Sequence, residues 1–276
     1  TSPISVYMNA LQMCVLRLNC EILIDVFSGV TLPWADITYL QMLGKDFSIK
    51  RKRELFLLPY INLLKSTNRE SKILIACSKF VAQREENKGI RCGVLYPPVD
   101  VDFFQPKPEQ LDYPRKTLVI TVSRLHKEKK LENVPKIANL VDKHISFLIA
   151  GSVQHYDALY SIQKAIRELN VSDRVKIMTN VPREMLRKLL LSSRVYLHTK
   201  EYEPFGITIA EAMSAGCTPI VHDSGGPKEF VPENLRYKTI EEAAAKIERA
   251  VDQWSEKRMR EIISGAKKFR EEEFSR

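Results

Sequence analysis

From about residue 116 the chain alternates between two kinds of segment, and that alternation narrows the fold more than any other feature. Thr117–Val122 (TLVITV), Ile145–Ala150 (ISFLIA), Arg174–Met178, Val195–His198 and Thr218–Val221 are short apolar or β-branched runs. Between them lie Leu131–Lys143, Asp157–Leu169, Pro182–Leu191 and Thr208–Ala215, longer stretches with apolar residues at helical spacing. Strands apolar along their whole length must be covered on both faces, and intervening amphipathic helices supply the cover. This pattern predicts a doubly wound α/β domain with a parallel sheet.

The first 95 or so residues are less regular. Lys72–Cys77 (KILIAC) and Arg91–Leu95 read as further strands, with a helix over Lys79–Asn87 between them. Pro97, Pro98, Pro106, Pro108 and Pro114 then punctuate a polar stretch, which reads as a linker. The expected organisation is a partial N-terminal domain over 1–98, a linker over 99–115 and the doubly wound domain with its closing helices over 116–276. Ile240–Trp254 and Glu256–Phe274 read as two closing helices with many i,i+4 charge pairs. Ile49–Lys65 joins a basic cluster to an apolar stripe. It reads as a core-facing helix with a solvated basic end in preference to a membrane-surface helix.

Composition excludes several classes. With 44% hydrophobic and 28% charged residues, disordered and low-complexity readings fail. A formal charge of +9 favours anionic partners: nucleic acid, an anionic membrane or phosphorylated ligands. No aromatic-rich nucleic-acid signature accompanies it, so no nucleic-acid partner is expected. Five scattered cysteines without a C-x-x-C pair read as reduced thiols of a cytoplasmic protein. Five scattered histidines without H-E-x-x-H give no zinc site. No apolar run reaches the roughly 18 residues of a membrane span. The chain opens at Thr1, which reads as a processed or partial N-terminus.

The familiar phosphate and nucleophile loops are missing: there is no G-x-G-x-x-G, no G-x-x-x-x-G-K-[ST] and no G-x-S-x-G. Asp100-Val101-Asp102 spells a D-x-D, but after Pro97-Pro98 it reads as a turn former and not as a metal ligand pair. No metal site and no cofactor are expected.

The chemistry concentrates in Val195–Val231 (VYLHTKEYEPFGITIAEAMSAGCTPIVHDSGGPKEFV). A strand ends near His198, a polar loop follows, and a helix begins around Gly206–Thr208. Open α/β sheets bind ligands at the carboxyl ends of their strands. The first turn of the helix offers unpaired N–H groups from Phe205, Gly206 and Ile207 to phosphate or hydroxyl oxygens. Glu203 and Glu211, spaced E-x7-E, are carboxylates favoured near a helix N-terminus, and equally acceptors for sugar hydroxyls.

This string resembles glycosyltransferase family 4, the retaining nucleotide-sugar transferases of GT-B fold. The residues that carry the likeness are Glu203-Pro204-Phe205-Gly206, Glu211-Ala212-Met213-Ser214-Ala215-Gly216 and Gly225-Gly226-Pro227. Upstream, Ser123-Arg124 with Lys129 resembles the family's diphosphate-binding pair, Gly151 its glycine turn beneath the nucleotide, and Val181 its loop beside the base. The resemblance implies a GT-B protein of two Rossmann-like domains, the N-terminal one incomplete. Arg124, Lys129 and Glu203 would be its catalytic groups. Ser123, Gly151, Val181, Phe205, Gly206, Ile207, Thr208 and Glu211 would bind the donor. Arg124 and Lys129 would neutralise the departing diphosphate, a task other enzymes give to a metal.

His198-Thr199, the string Val221–Pro227, and Tyr96–Val101 resemble the lipid-linked-oligosaccharide α-1,2-mannosyltransferases. That likeness implies a GDP-mannose donor and a polyprenyl-diphosphate glycan acceptor at the cytosolic membrane face, with the protein peripheral there. The first 70 residues match the family poorly, and Gln41 stands where it usually carries a histidine. Those departures motivate a second reading, a non-catalytic donor-domain subunit whose site a partner subunit completes.

Overall fold

The computed structural model describes residues 21–26, 35–41, 73–87, 91–111 and 114–270. They belong to two compact units, Thr1–Tyr96 and Pro97–Arg276. The basic segment Ile49–Lys65 and the cysteines Cys14 and Cys20 lie outside the described residues.

In the first unit, β1 (Ile24–Asp25), β2 (Ile37–Leu40), β3 (Ile73–Ala76) and β4 (Gly93–Val94) form a parallel sheet in that order. Helix α1 (Lys79–Glu86) connects β3 to β4, as the sequence predicts. Ser78 starts it by accepting a hydrogen bond from the Val81 N–H at 3.2 Å, which satisfies one of the donors a first turn leaves free. The Tyr39 hydroxyl donates to the Leu95 carbonyl at 2.9 Å, tying β2 to the chain beyond β4. Gln41 is exposed just past the end of β2.

The second unit carries a six-stranded parallel sheet of β5 (Lys116–Val122), β6 (Ser146–Gly151), β7 (Val175–Thr179), β8 (Ser193–His198), β9 (Thr218–His222) and β10 (Arg236–Tyr237). Its spatial order is β7-β6-β5-β8-β9-β10. The chain winds outward from β5 to β7, then returns to the centre and winds the other way, the order of a Rossmann sheet. The five strands expected here all form, with ends within two residues of those expected. Val119, Ile120, Phe147, Ile149, Val195, Tyr196, Leu197 and Ile220 are almost wholly buried, as a sheet covered on both faces requires.

The helices α3 (Asn133–Leu140), α4 (Tyr156–Glu168), α5 (Arg183–Ser192), α6 (Ile207–Ser214) and α7 (Ile240–Asp252) follow successive strands. Helix α4 buries Ala158, Ile162 and Ile166, one face of a 3.6-residue period. Two segments differ from the expectation. Residues of the expected linker are built into this unit: a short α2 (Val101–Phe104) is capped by Asp100, and Val99, Val101 and Phe104 are buried. Proline content marks turns and says nothing of the apolar residues packed between them.

The last expected helix, Glu256–Phe274, is shorter. Helix α8 spans Glu256–Ala266 and tightens into a 3-10 turn over Lys267–Phe269. That turn drives Phe269 into the core, where its ring meets Phe205 and Phe230 at 5.1 and 5.0 Å between centroids.

Candidate functional site

The winding direction reverses between β5 and β8, and open α/β sheets leave a crevice at the carboxyl ends of such a strand pair. Two loops leave it, 123–132 after β5 and 199–206 after β8. They are joined directly: the buried Thr199 hydroxyl donates to the Lys129 carbonyl at 2.7 Å.

Ser123, Gly151 and Val181 sit at the ends of the neighbouring strands β5, β6 and β7. Gly151 is fixed by close approach, since a Cβ there would stand 1.7 Å from the Ser123 carbonyl oxygen. The Asn180 N–H donates to the Gly151 carbonyl at 2.8 Å, which holds the Val181 loop beside the glycine. The three positions are thereby adjacent along one sheet edge.

Arg124 is exposed, and its guanidinium makes no ion pair among the described residues. Lys129 ends a 3-10 turn, and its Nζ lies 2.8 Å from Glu203 Oε2. The same oxygen is met by His198 Nε2 at 3.2 Å and Lys200 Nζ at 3.5 Å. Burial works against the charge of Glu203. The hydrogen bond and field of His198, with the charges of Lys129 and Lys200, overcome it and hold the carboxyl far below the usual carboxylate range. Glu203 is an acceptor at every physiological pH.

The loop bearing Glu203 rests on the Gly-Gly-Pro turn. The Gly226 N–H donates to the Glu203 carbonyl at 2.8 Å. Gly225 has φ +75°, and a Cβ on it would lie 2.4 Å from the Glu203 oxygen. From the other side the Tyr202 N–H donates to Ser224 Oγ at 2.8 Å.

Helix α6 begins at Gly206, whose φ of +98° suits glycine. The N–H groups of Ile207 and Thr208 open the helix, one exposed and one half-buried at their residues, without a carbonyl partner among the described residues. Two of the expected donor contacts have other work for their side chains. The Phe205 ring is 3% exposed within the aromatic cluster, so only its backbone can face a ligand. Thr208 Oγ1 is hydrogen-bonded to the Tyr196 hydroxyl at 2.8 Å.

Glu211 lies one turn into α6 and is half-buried. Burial pushes its carboxyl up to about 7, partly opposed by Arg183 and reinforced by Asp100. Arg183 itself pairs with Asp100 at 2.6 Å and stacks over the Phe103 ring at 4.3 Å. Asp100 also accepts from the Phe103 N–H at 3.2 Å, and Asp102 pairs with Arg270 at 2.8 Å. The two carboxylates of the D-x-D thus serve a cap and two ion pairs. No cluster of metal-ligating side chains occurs among the described residues.

Sequence reasoning put Glu203, Lys129 and the α6 N-terminus at one place, and the structure brings them together. It did not anticipate that His198 and Lys200 face Glu203, or that Thr199 clamps the Lys129 loop. The available signal was position: these residues end β8 or begin its loop, where the sheet presents its ligand-facing atoms.

A Rossmann sheet with its polar cluster at this reversal, in a chain whose other unit carries a parallel sheet of its own, is the make-up of a GT-B protein. HepE of Anabaena, crystallised with UDP and glucose, aligns with a TM-score of 0.68 over 83% of this chain and 65% of its own, at 20% identity. The description glycosyl transferases group 1 matches residues 103–269, and the chain belongs to that family. Two of its curated relatives carry the name GDP-Man:Man(3)GlcNAc(2)-PP-Dol alpha-1,2-mannosyltransferase. The protein of Dictyostelium discoideum is 30% identical over 152 residues, 50% of this chain and 30% of its own length. That of Xenopus laevis is 32% identical over 150 residues, again 50% of this chain and 30% of its own. The family and fold expected from the motifs are borne out, and these relatives are of the mannosyltransferase subgroup that the His198-Thr199 string resembles.

Proposed function

We propose that this chain acts as a retaining, metal-independent glycosyltransferase that moves mannose from GDP-mannose to a polyprenyl-diphosphate-linked glycan. The observation that carries the reading is the convergence of Lys129, Glu203 and the start of α6 at the β5–β8 reversal of a group 1 domain. The donor's diphosphate lies against Arg124, Lys129 and the N–H groups that open α6. Glu203 accepts from hexose hydroxyls and Glu211 from the ribose. Val181 lies beside the base, with Ser123 and Gly151 forming the floor beneath the nucleotide.

In the transfer, the bond from the anomeric carbon to the diphosphate oxygen breaks as negative charge grows on the leaving group. Arg124 and Lys129 stabilise that charge, so no divalent ion is needed for it. The acceptor hydroxyl attacks from the face the diphosphate leaves, and its proton passes to the departing oxygen, so the anomeric configuration is kept. Removing one such charge-stabilising group costs about 10²–10³ in rate. The acceptor's lipid anchor puts the reaction at a membrane, and in this reading at its cytosolic face. No helix among the described residues is long and apolar enough to cross a membrane. In this reading the protein works there as a peripheral one.

The test is transfer by the purified chain from GDP-mannose, in EDTA, with product anomer assigned by NMR. An inverted product, or undiminished transfer by both Glu203→Gln and Arg124→Ala, overturns the proposal. A thermal-shift panel of GDP, UDP, ADP and their sugars tests the donor, because ligand at 100 times its Kd stabilises by about 2.7 kcal/mol.

A further inference from the structure

Three donors converge on a single oxygen of Glu203. Lys129 Nζ at 2.8 Å, His198 Nε2 at 3.2 Å and Lys200 Nζ at 3.5 Å all face Oε2. Oε1 accepts no hydrogen bond from the described residues. The carboxylate therefore has one tethered oxygen and one left for a ligand.

The three tethers are unequal. The two lysines are long, flexible and 19% and 20% exposed, whereas the His198 side chain is 4% exposed. Its ring stacks on Tyr196 with 19° between planes, and its backbone carbonyl accepts from the Tyr237 hydroxyl at 2.9 Å. A carboxylate oxygen only accepts, so His198 Nε2 must carry the proton and donate. A donor fixed on a strand end orients its partner with little loss of freedom, and a lysine chain does not.

We infer that His198 is a positioning residue for sugar recognition: it pins Glu203 Oε2 and so presents Oε1 to the hexose hydroxyl. The inference rests on the proposed reading of Glu203 as the hexose-binding group. When Lys129 turns toward a diphosphate, its contact with Glu203 weakens, and His198 remains as the fixed tether. The contribution is therefore specific to the sugar and absent from the nucleotide.

The experiment is calorimetric titration of the purified chain with GDP-mannose and with GDP, in wild type, His198→Phe and His198→Gln. Phenylalanine keeps an aromatic ring against Tyr196 but has no donor, while glutamine restores an N–H. His198→Phe is expected to weaken GDP-mannose binding roughly tenfold or more, the loss of one hydrogen bond to a charged group, with GDP within about twofold of wild type. His198→Gln is expected to recover most of that loss. Equal loss of both ligands overturns the inference, because it marks a structural role. So does GDP-mannose affinity unchanged in His198→Phe. A wild type that binds neither ligand overturns the donor reading beneath it, an outcome distinct from a wild type that binds both and a variant that matches it.

Discussion

Gly226 stands against the backbone of Pro204, so close that a Cβ would lie 2.0 Å from the Pro204 carbonyl oxygen. The glycine turn is thus the support on which the Glu203 loop lies, and backbone cannot yield as the end of a side chain can. Gly226→Ala is expected to destabilise the chain by about 1–3 kcal/mol, the usual cost of forcing an extra carbon into packed structure. It should also displace Glu203 and weaken GDP-mannose binding. Urea unfolding and donor titration check the two effects; unchanged values for both would show that the turn does not support the loop.

The Thr199 hydroxyl joins the two loops of the reversal through the Lys129 carbonyl. Thr199→Val keeps the shape and removes the donor, leaving that carbonyl short of a partner at a cost of about 1 kcal/mol. Looser placement of Lys129 should weaken GDP binding about fivefold, and Thr199→Ser should preserve it. Titration of GDP into the two variants reads this directly, with equal behaviour of valine and serine as the contrary result.

Much of the sheet and of the Glu203 loop was legible because both depend on local pattern. Runs such as TLVITV specify strands buried on two faces, and Glu203-Pro204-Phe205-Gly206 carries its meaning in four consecutive residues. What escaped sequence reasoning depends on pairing across distance. His198 and Glu203 are near in sequence, but their contact is set by how the strand end turns into the loop. Thr199 meets Lys129 across 70 residues. Val99, Val101 and Phe104 sit among prolines and acids that mask their burial. The backbone N–H of Phe205 was the expected ligand contact, and its side chain packs on Phe230 and Phe269, the latter brought into place by the 3-10 turn after α8.

Arg115 is a further case, since in the string Pro114-Arg115-Lys116 it looks like an ordinary solvated cation. It is 6% exposed, and its guanidinium donates to the carbonyls of Ser193 and Ala215, with Leu190 at the edge of reach. Burial lowers its proton affinity, opposed by Cys217. It ties the ends of α5 and α6 to the start of β8, so Arg115→Ala strands several buried carbonyls at once. The expected loss is about 3 kcal/mol or more, and Arg115→Lys should not restore it because an ammonium cannot span the same acceptors. Denaturant unfolding of the three proteins checks this; a lysine variant as stable as wild type would contradict the multidentate role.

Glu211 places stability and ligand binding in opposition. Burial raises its carboxyl from the ordinary 4.5 to about 7, with Arg183 opposing and Asp100 adding to the rise. Between those values the folded chain holds a proton that the unfolded chain has released, so folding stability falls as pH rises from 4.5 to about 7 and stays lower above it. The size of the effect is on the order of 3 kcal/mol at most. Glu211→Gln removes the titration. It is therefore expected to unfold at a higher temperature than wild type at about pH 8 and at nearly the same temperature at about pH 4. The ionised carboxylate is also the better acceptor for ribose hydroxyls, so wild-type affinity for GDP should rise through pH 7 while that of the variant stays low and flat. Thermal melts and GDP titrations across this range test both halves. A wild-type affinity independent of pH would remove Glu211 from the ribose, and a stability difference independent of pH would show that folding does not raise its carboxyl.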